Sequence, residues 1–214
     1  MDGLERPTGR LPAASAAPFG AARSALRAAT MASHRRLHGQ PHFAALVDGS
    51  LDRAGYRDLL VRLLGFHRPF EAAVLRNGES LYGIEPARRR RAWLLEADLR
   101  WLGLSADAVA RIGDCGRLPP ADTSAQRLGC TYVTEGSTLG AALLAERAAA
   151  LLGTADGASD GRRFFLAHGR ENGRLWRECC AAIERCAVAA PDNLAEMVSG
   201  ATATFDILDY WLNR

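Results

Sequence analysis

The sequence predicts an all-α fold in a single domain, and three observations carry that expectation. Apolar residues recur at three- and four-residue intervals through several long segments, the pattern of amphipathic helices. Strand-like alternation never persists beyond a few residues, and no internal repeat is visible. A chain of 214 residues with 48% hydrophobic and 24% charged residues is enough for one sizeable core. The expected organisation is a disordered tail over residues 1–20, rich in Pro, Ala and Gly and lacking the basic and apolar regions of a signal peptide, followed by one domain over 21–214 with about eight helices.

Ala21–Leu37 reads as the first helix, stopped by Gly39 and Pro41, with Arg27, Thr30, His34 and His38 along one face. A short helix follows around His42–Val47. Asp48-Gly49-Ser50 turns the chain, and Ser50 is the expected N-cap of the next segment. Leu51–Arg76 is long and amphipathic, with Pro69 expected to kink or break it. Glu85-Pro86 opens a helix running to Leu102 and ending at Gly103, and its arginine run, Arg88–Arg91, reads as a solvated first turn. Ser105–Ile112 is a brief capped helix, and Gly113–Asp122 is loop. Thr123 or Ser124 then caps a long central helix ending near Leu152, its apolar stripe supplied by Leu139, Leu143, Leu144 and Leu151 with several alanines. After a glycine-punctuated connection come Arg162–His168, Leu175–Val188 and Leu194–Leu212, the last two separated by Pro191-Asp192.

Composition narrows the function classes. The net charge of +3 is too small to argue for nucleic acid, and all 27 cationic side chains are arginine. No apolar run approaches the roughly 18 residues that span a bilayer, so no membrane role is expected. Five cysteines without CxxC spacing fit a reduced, cytoplasmic setting.

The central helix carries Gly136 and Gly140, each costing roughly 1 kcal/mol relative to alanine. Four residues apart, they lie on one face and bare the backbone over about one turn. Either another helix packs closely there, or something flat approaches. His34 lies among apolar residues of the first helix, where a histidine is either a satisfied core residue or a metal ligand. A neutral imidazole is the usual single axial ligand of haem iron, leaving the other face open to a gas.

Tyr132-Val-x-Glu-Gly-Ser-x-Leu-Gly140, in a segment that begins Gln126-Arg127-Leu128-Gly129, resembles the distal helix of bacterial haem oxygenases. Leu26-Arg-x-x-Thr-x-x-x-His34 resembles their proximal segment. Tyr56-x-x-Leu-Leu, Phe66-His67 and Glu71, then Leu95-x-x-Asp98-Leu99-x-x-Leu102-Gly103, are similar to the next helices. Phe164-Phe165, Gly173-x-x-Trp176-Arg177 and Ala203-Thr204-Phe205 with Tyr210-Trp211-Leu212 resemble the C-terminal region. The likeness covers nearly the whole chain after the tail and is nearest to the biliverdin-producing enzymes that accompany bacteriophytochromes.

The resemblance implies haem b as substrate and cofactor together, opened with O2 and external electrons to biliverdin (the IX-alpha isomer), carbon monoxide and ferrous iron. Electrons would come from a ferredoxin, a flavoprotein reductase or ascorbate, and a bacteriophytochrome is the implied acceptor of the product. His34 is the implied iron ligand, Gly136, Ser137 and Gly140 the distal residues, and Arg27, Thr30 and Arg177 the haem contacts, the arginines meeting propionates. Arg174 is a weaker third, and the bland reading of all these arginines is an exposed surface. His38, His42, His67 and His168 read as structural or surface residues.

Two positions depart from the family pattern. Where many relatives place a carboxylate four residues after the proximal histidine, hydrogen-bonded to its Nδ1–H, this chain has His38, which would raise the ligand's basicity less. Ser137 stands where the animal enzymes place an aspartate. His38 keeps open a non-catalytic haem carrier or sensor on the same fold. A di-iron oxidase or a thiaminase-like hydrolase would need other residues, and no Glu-x-x-His motif occurs.

Overall fold

The computed structural model describes residues 20–76, 80–154 and 159–214, and the expected tail lies, apart from Gly20, outside them. Among the described residues there are nine α-helices and no strand beyond an isolated bridge, Leu81 to Ile84. The helices are α1 (Ala21–His38), α2 (Pro41–Asp48), α3 (Arg53–Val74), α4 (Ala92–Trp101), α5 (Ala106–Ala110), α6 (Ser124–Leu152), α7 (Arg163–Leu166), α8 (Asn172–Ala189) and α9 (Asn193–Leu212). Two 3-10 turns, Pro86–Arg89 and Gly169–Glu171, complete the list. None of these helices is long and apolar enough to cross a membrane.

The molecule assembles around α6 and α9, which lie against each other, with α1 and α8 also packed on α9. What lets their backbones meet is a pair of glycines other than Gly136 and Gly140. A Cβ on Gly129 would stand 2.0 Å from the Met197 carbonyl oxygen, and one on Gly200 would stand 2.3 Å from that of Gln126. On one side of this crossing α3, α4, α6 and α7 enclose a core that includes Tyr56, Phe66, Phe70, Leu95, Phe164 and Phe165. On the other, α1, α8 and α9 enclose Leu26, Cys179, Ile183, Met197 and Phe205.

Pro69 neither kinks nor breaks α3, which runs unbroken through it. The carbonyl that proline deprives of a donor belongs to Gly65, four residues earlier, and it accepts instead from the Cys115 amide at 2.7 Å. Gly65 admits that loop because any side chain would collide with the Gly113 carbonyl and Trp211. The N-cap of α3 is Asp52, accepting from the Gly55 amide at 2.7 Å, and not Ser50, whose own amide donates to Asp48 Oδ1. Thr123 caps α6 in a reciprocal box with Gln126.

The expected helix over 86–102 is split, and the arginine run explains the split. Arg89 and Arg91 are only 4% and 2% exposed, while Arg88 alone of the four stays in solvent and Arg90 hydrogen-bonds the Leu75 carbonyl. Turning two guanidinium groups inward requires the extended residue Arg90 between the 3-10 turn and α4. The apolar stripe expected on α6 is also revised. Leu139 and Leu143 are 50% and 45% exposed, and the buried face there is Ala141, Ala145 and Ala148. Glu71 accepts from the amides of Arg91 and Ala92 at the start of α4, and Asp98 from those of Arg163 and Phe164 at the start of α7. Both carboxylates therefore join one helix to the next.

Candidate functional site

The buried face of α1 is Ala22, Leu26, Thr30 and Ser33, so His34 sits at its edge and not within the core. Its ring meets Phe205 of α9 edge-on at 5.9 Å, and His38 at 4.4 Å between centroids. Partial burial is the main cause lowering the His34 pKa, with His38 and Arg27 adding to it. These causes favour the neutral imidazole, the form that binds a metal. The contact with His38 joins the two Nε2 atoms at 3.2 Å, so His38 does not support Nδ1 as a carboxylate would.

Helices α1 and α6 both pack on α9. At one end they are joined through Tyr132, a half-buried phenol whose charge is disfavoured chiefly by burial and eased by the Thr30 hydroxyl and Arg27. Thr30 is buried and donates its own hydroxyl to the Leu26 carbonyl at 2.8 Å, so it acts as a wall. Trp176 of α8 closes this end, 5.7 Å from the Tyr132 ring and 3.5 Å from where a Gly136 Cβ would stand. One turn on, a Cβ at Gly140 would meet nothing within 4 Å. Gly140 is exposed, with Ser137, Leu139 and Leu143 exposed around it. Gly136 therefore lies against Trp176 of α8, whereas Gly140 serves no helix crossing.

Helices α1 and α8 run antiparallel. The Ala22 and Arg23 amides donate to Glu184, and the Arg23 guanidinium reaches Cys180. Arg27, one turn further along α1, is accordingly level with Trp176 and Arg177 on α8. Both Arg27 and Arg177 are exposed, and among the described residues neither has a carboxylate partner. Arg174, in contrast, is committed to ion pairs with Glu171 and Glu178.

Behind α6 lies a buried polar layer that sequence reasoning missed. Arg89 donates to Glu135 at 2.7 Å, to the Leu175 carbonyl at 2.9 Å and to Glu178 at 2.7 Å. Arg91 donates to the Thr134 carbonyl at 2.8 Å, and the Ser137 hydroxyl donates to that same carbonyl at 2.7 Å. These bonds hold the turn Thr134–Ser137, on which the exposed glycine face depends. The signal was available in Glu135, a carboxylate on the buried side of a largely apolar helix, which needed a cation from elsewhere. His67 is buried and kept neutral by desolvation, as its structural reading requires.

His34 on α1 and the exposed Gly140 face of α6 thus belong to two helices that both pack on α9, and Arg27 and Arg177, without carboxylate partners among the described residues, lie level with each other on α1 and α8. The class is an all-α protein in which two helices packed on a third carry an exposed histidine and an exposed glycine face. The sequence model of the heme oxygenase family matches residues 21–214, and the chain belongs to that family of enzymes. The fold is similar to that of heme oxygenase-1 from the cyanobacterium Synechocystis sp. PCC6803, solved in complex with heme, at 18% identity over 90% of each chain with a TM-score of 0.68. No curated protein matches the chain significantly.

Proposed function

We propose that the protein opens haem b to biliverdin, carbon monoxide and ferrous iron, with His34 as the protein ligand of the iron. The observation that carries this reading is the bared face of α6: Gly140 has open space where its side chain would be, beside exposed Leu139 and Leu143 and beyond the crossing that Gly129 and Gly200 serve. The chain's own residues fit the group. His34 offers a neutral nitrogen, Phe205 and Thr30 give it apolar and steric support, and Arg27 and Arg177 offer charge to two propionates. Haem itself, when bound, supplies the oxygen and electron chemistry, so the protein needs no nucleophile.

What the residues contribute is position and exclusion. The absent Cβ atoms at Gly136 and Gly140 let the ring lie against the α6 backbone. Ser137, its hydroxyl held on the Thr134 carbonyl, is the polar group nearest that face. Trp176 limits how far the ring slides toward α8. The expected product is the IX-alpha isomer, the reductant a ferredoxin or flavoprotein reductase with ascorbate as a chemical substitute, and the acceptor a bacteriophytochrome. This reading also places the reaction in the cytoplasm. Its support is the likeness to the bacteriophytochrome-associated branch.

The test is an absorption spectrum on adding haemin, then ascorbate or a ferredoxin system in air. The wild type should give a histidine-ligated ferrous–CO spectrum and then biliverdin. His34→Ala should lose both. A variant that keeps the wild-type spectrum, while His38→Ala loses it, would show that the ligand was wrongly chosen.

A further inference from the structure

We propose that His34 and His38 together form a chelating site for a first-row divalent cation, and that a cation held there excludes haem. The exclusion rests on the proposed role of His34; the chelate rests on the two side chains alone.

The pair occupies the last two turns of α1, at the i, i+4 spacing that puts two histidines on one helix face. Their Nε2 atoms are already 3.2 Å apart, the ring planes are inclined by 50°, and both residues are exposed. Imidazole binds such cations at about 2.0–2.1 Å, and two such bonds about 100° apart leave the nitrogens about 3.2 Å from each other. The observed spacing is therefore that of two adjacent positions on one cation. Without a cation, the contact persists only if one ring donates a proton to the other. The site also lies at the C-terminal end of an 18-residue helix, where the partial negative charge favours a cation. Arg27 opposes it, whereas Arg36 is neutralised by Asp206 and Asp209.

Among the described residues no third histidine, cysteine or carboxylate joins the pair, so water fills the remaining positions. Two imidazoles with water suit Cu2+ and Ni2+ best, then Zn2+, and disfavour Mg2+ and Ca2+, which take oxygen ligands. Haem iron offers the protein only two positions, on opposite faces of the ring. Neighbouring residues of one helix face cannot occupy both. A chelated cation thus uses the nitrogen that haem requires, and haem binding must first part His34 from His38.

The untagged full chain, freed of metal, is titrated with Ni2+ by calorimetry and with Cu2+ by electron paramagnetic resonance. The expected result is one cation per chain with two coordinated nitrogens. His34→Ala and His38→Ala should each weaken binding by about a hundredfold, the low end of the gain from linking two ligands. Both positions are exposed, and circular dichroism should show unchanged helicity. Haemin titration should give a weaker apparent affinity for the Ni2+-loaded wild type, and no such effect in His38→Ala. Unchanged cation affinity in His38→Ala, or a single coordinated nitrogen, overturns the chelate. Undiminished haem affinity in the loaded wild type, with His34→Ala unable to bind haem, overturns the exclusion. If His34→Ala loses the cation yet binds haem normally, the chelate stands and the haem role of His34 fails.

Discussion

Single residues divide the glycines of α6 into two kinds, and the difference is measurable. Gly129 has the Met197 carbonyl where a Cβ would go, so Gly129→Ala must force α6 and α9 apart. It should cost about 3–5 kcal/mol, at the upper end of single substitutions, read as a shifted denaturation midpoint. Gly140 has empty space there, so Gly140→Leu should leave helicity and stability unchanged or raise stability by about 0.5–1 kcal/mol. That variant should nevertheless lose haem affinity or turnover, because the new side chain fills the ring's place. Full affinity and turnover in Gly140→Leu would remove the glycine face from the site. Arg177 makes the complementary case. It is exposed and lacks a carboxylate partner, so Arg177→Ala should keep its stability and lose about one to two orders of magnitude in haem affinity, from one charge-assisted bond of about 1.5–3 kcal/mol. Chromatography of the biliverdin isomers from this variant would also show whether the ring had rotated.

At the scale of elements, helices are tied together by charges that a linear reading places in solvent. Arg89 joins the turn before α4 to α6 and α8 through Glu135, Leu175 and Glu178. Arg89→Ala strands the Glu135 carboxylate, itself 2% exposed as a side chain, and should cost about 3–5 kcal/mol. Replacing Arg89 and Glu135 together by apolar residues should cost much less, which a double-mutant cycle would read directly. Asp98 joins α4 to α7, and burial pushes its pKa up to about 6 from 3.8 against two backbone amides that lower it. Since the folded state binds this proton more tightly than the unfolded chain, Asp98 favours the fold most below pH 4. That advantage is lost as pH rises through 6, by about 3 kcal/mol at most. Unfolding free energies of the wild type relative to Asp98→Asn should therefore fall between pH 4.5 and 7, and a flat difference would refute the shifted carboxyl.

The whole molecule places α1 and α6 side by side on α9, bridged at one end through Thr30, Tyr132 and Trp176. A ligand bound against both helices would add contacts that only the folded state makes. Haemin at 100 times its dissociation constant should then stabilise the protein by about 2.7 kcal/mol. For a chain of this size that is a rise of about 5–10 °C in the melting temperature. Differential scanning fluorimetry should show the rise in the wild type and its loss in His34→Ala. An equal rise in both would place the haem elsewhere.

Periodicity and punctuation alone determined the helical class and most boundaries. Gly39, Thr123 and Gly153 end or begin helices through local hydrogen bonds and backbone conformation, which a short window of sequence contains. His34, Gly136 and Gly140 were legible as candidates because a distinctive residue at a set spacing survives in the linear chain, and Arg27 and Arg177 through the resemblance to the family. Where partners come from distant segments, the same local reading failed. Pro69 is harmless because Cys115, far along the chain, satisfies Gly65. Arg89 and Arg91 are core residues because Glu135 and the Thr134 carbonyl wait on another helix. Leu139 and Leu143 are exposed because the alanines of α6 were claimed by its neighbours. Burial is a property of packed elements, and a charge or a leucine acquires it only when the tertiary structure supplies what lies opposite.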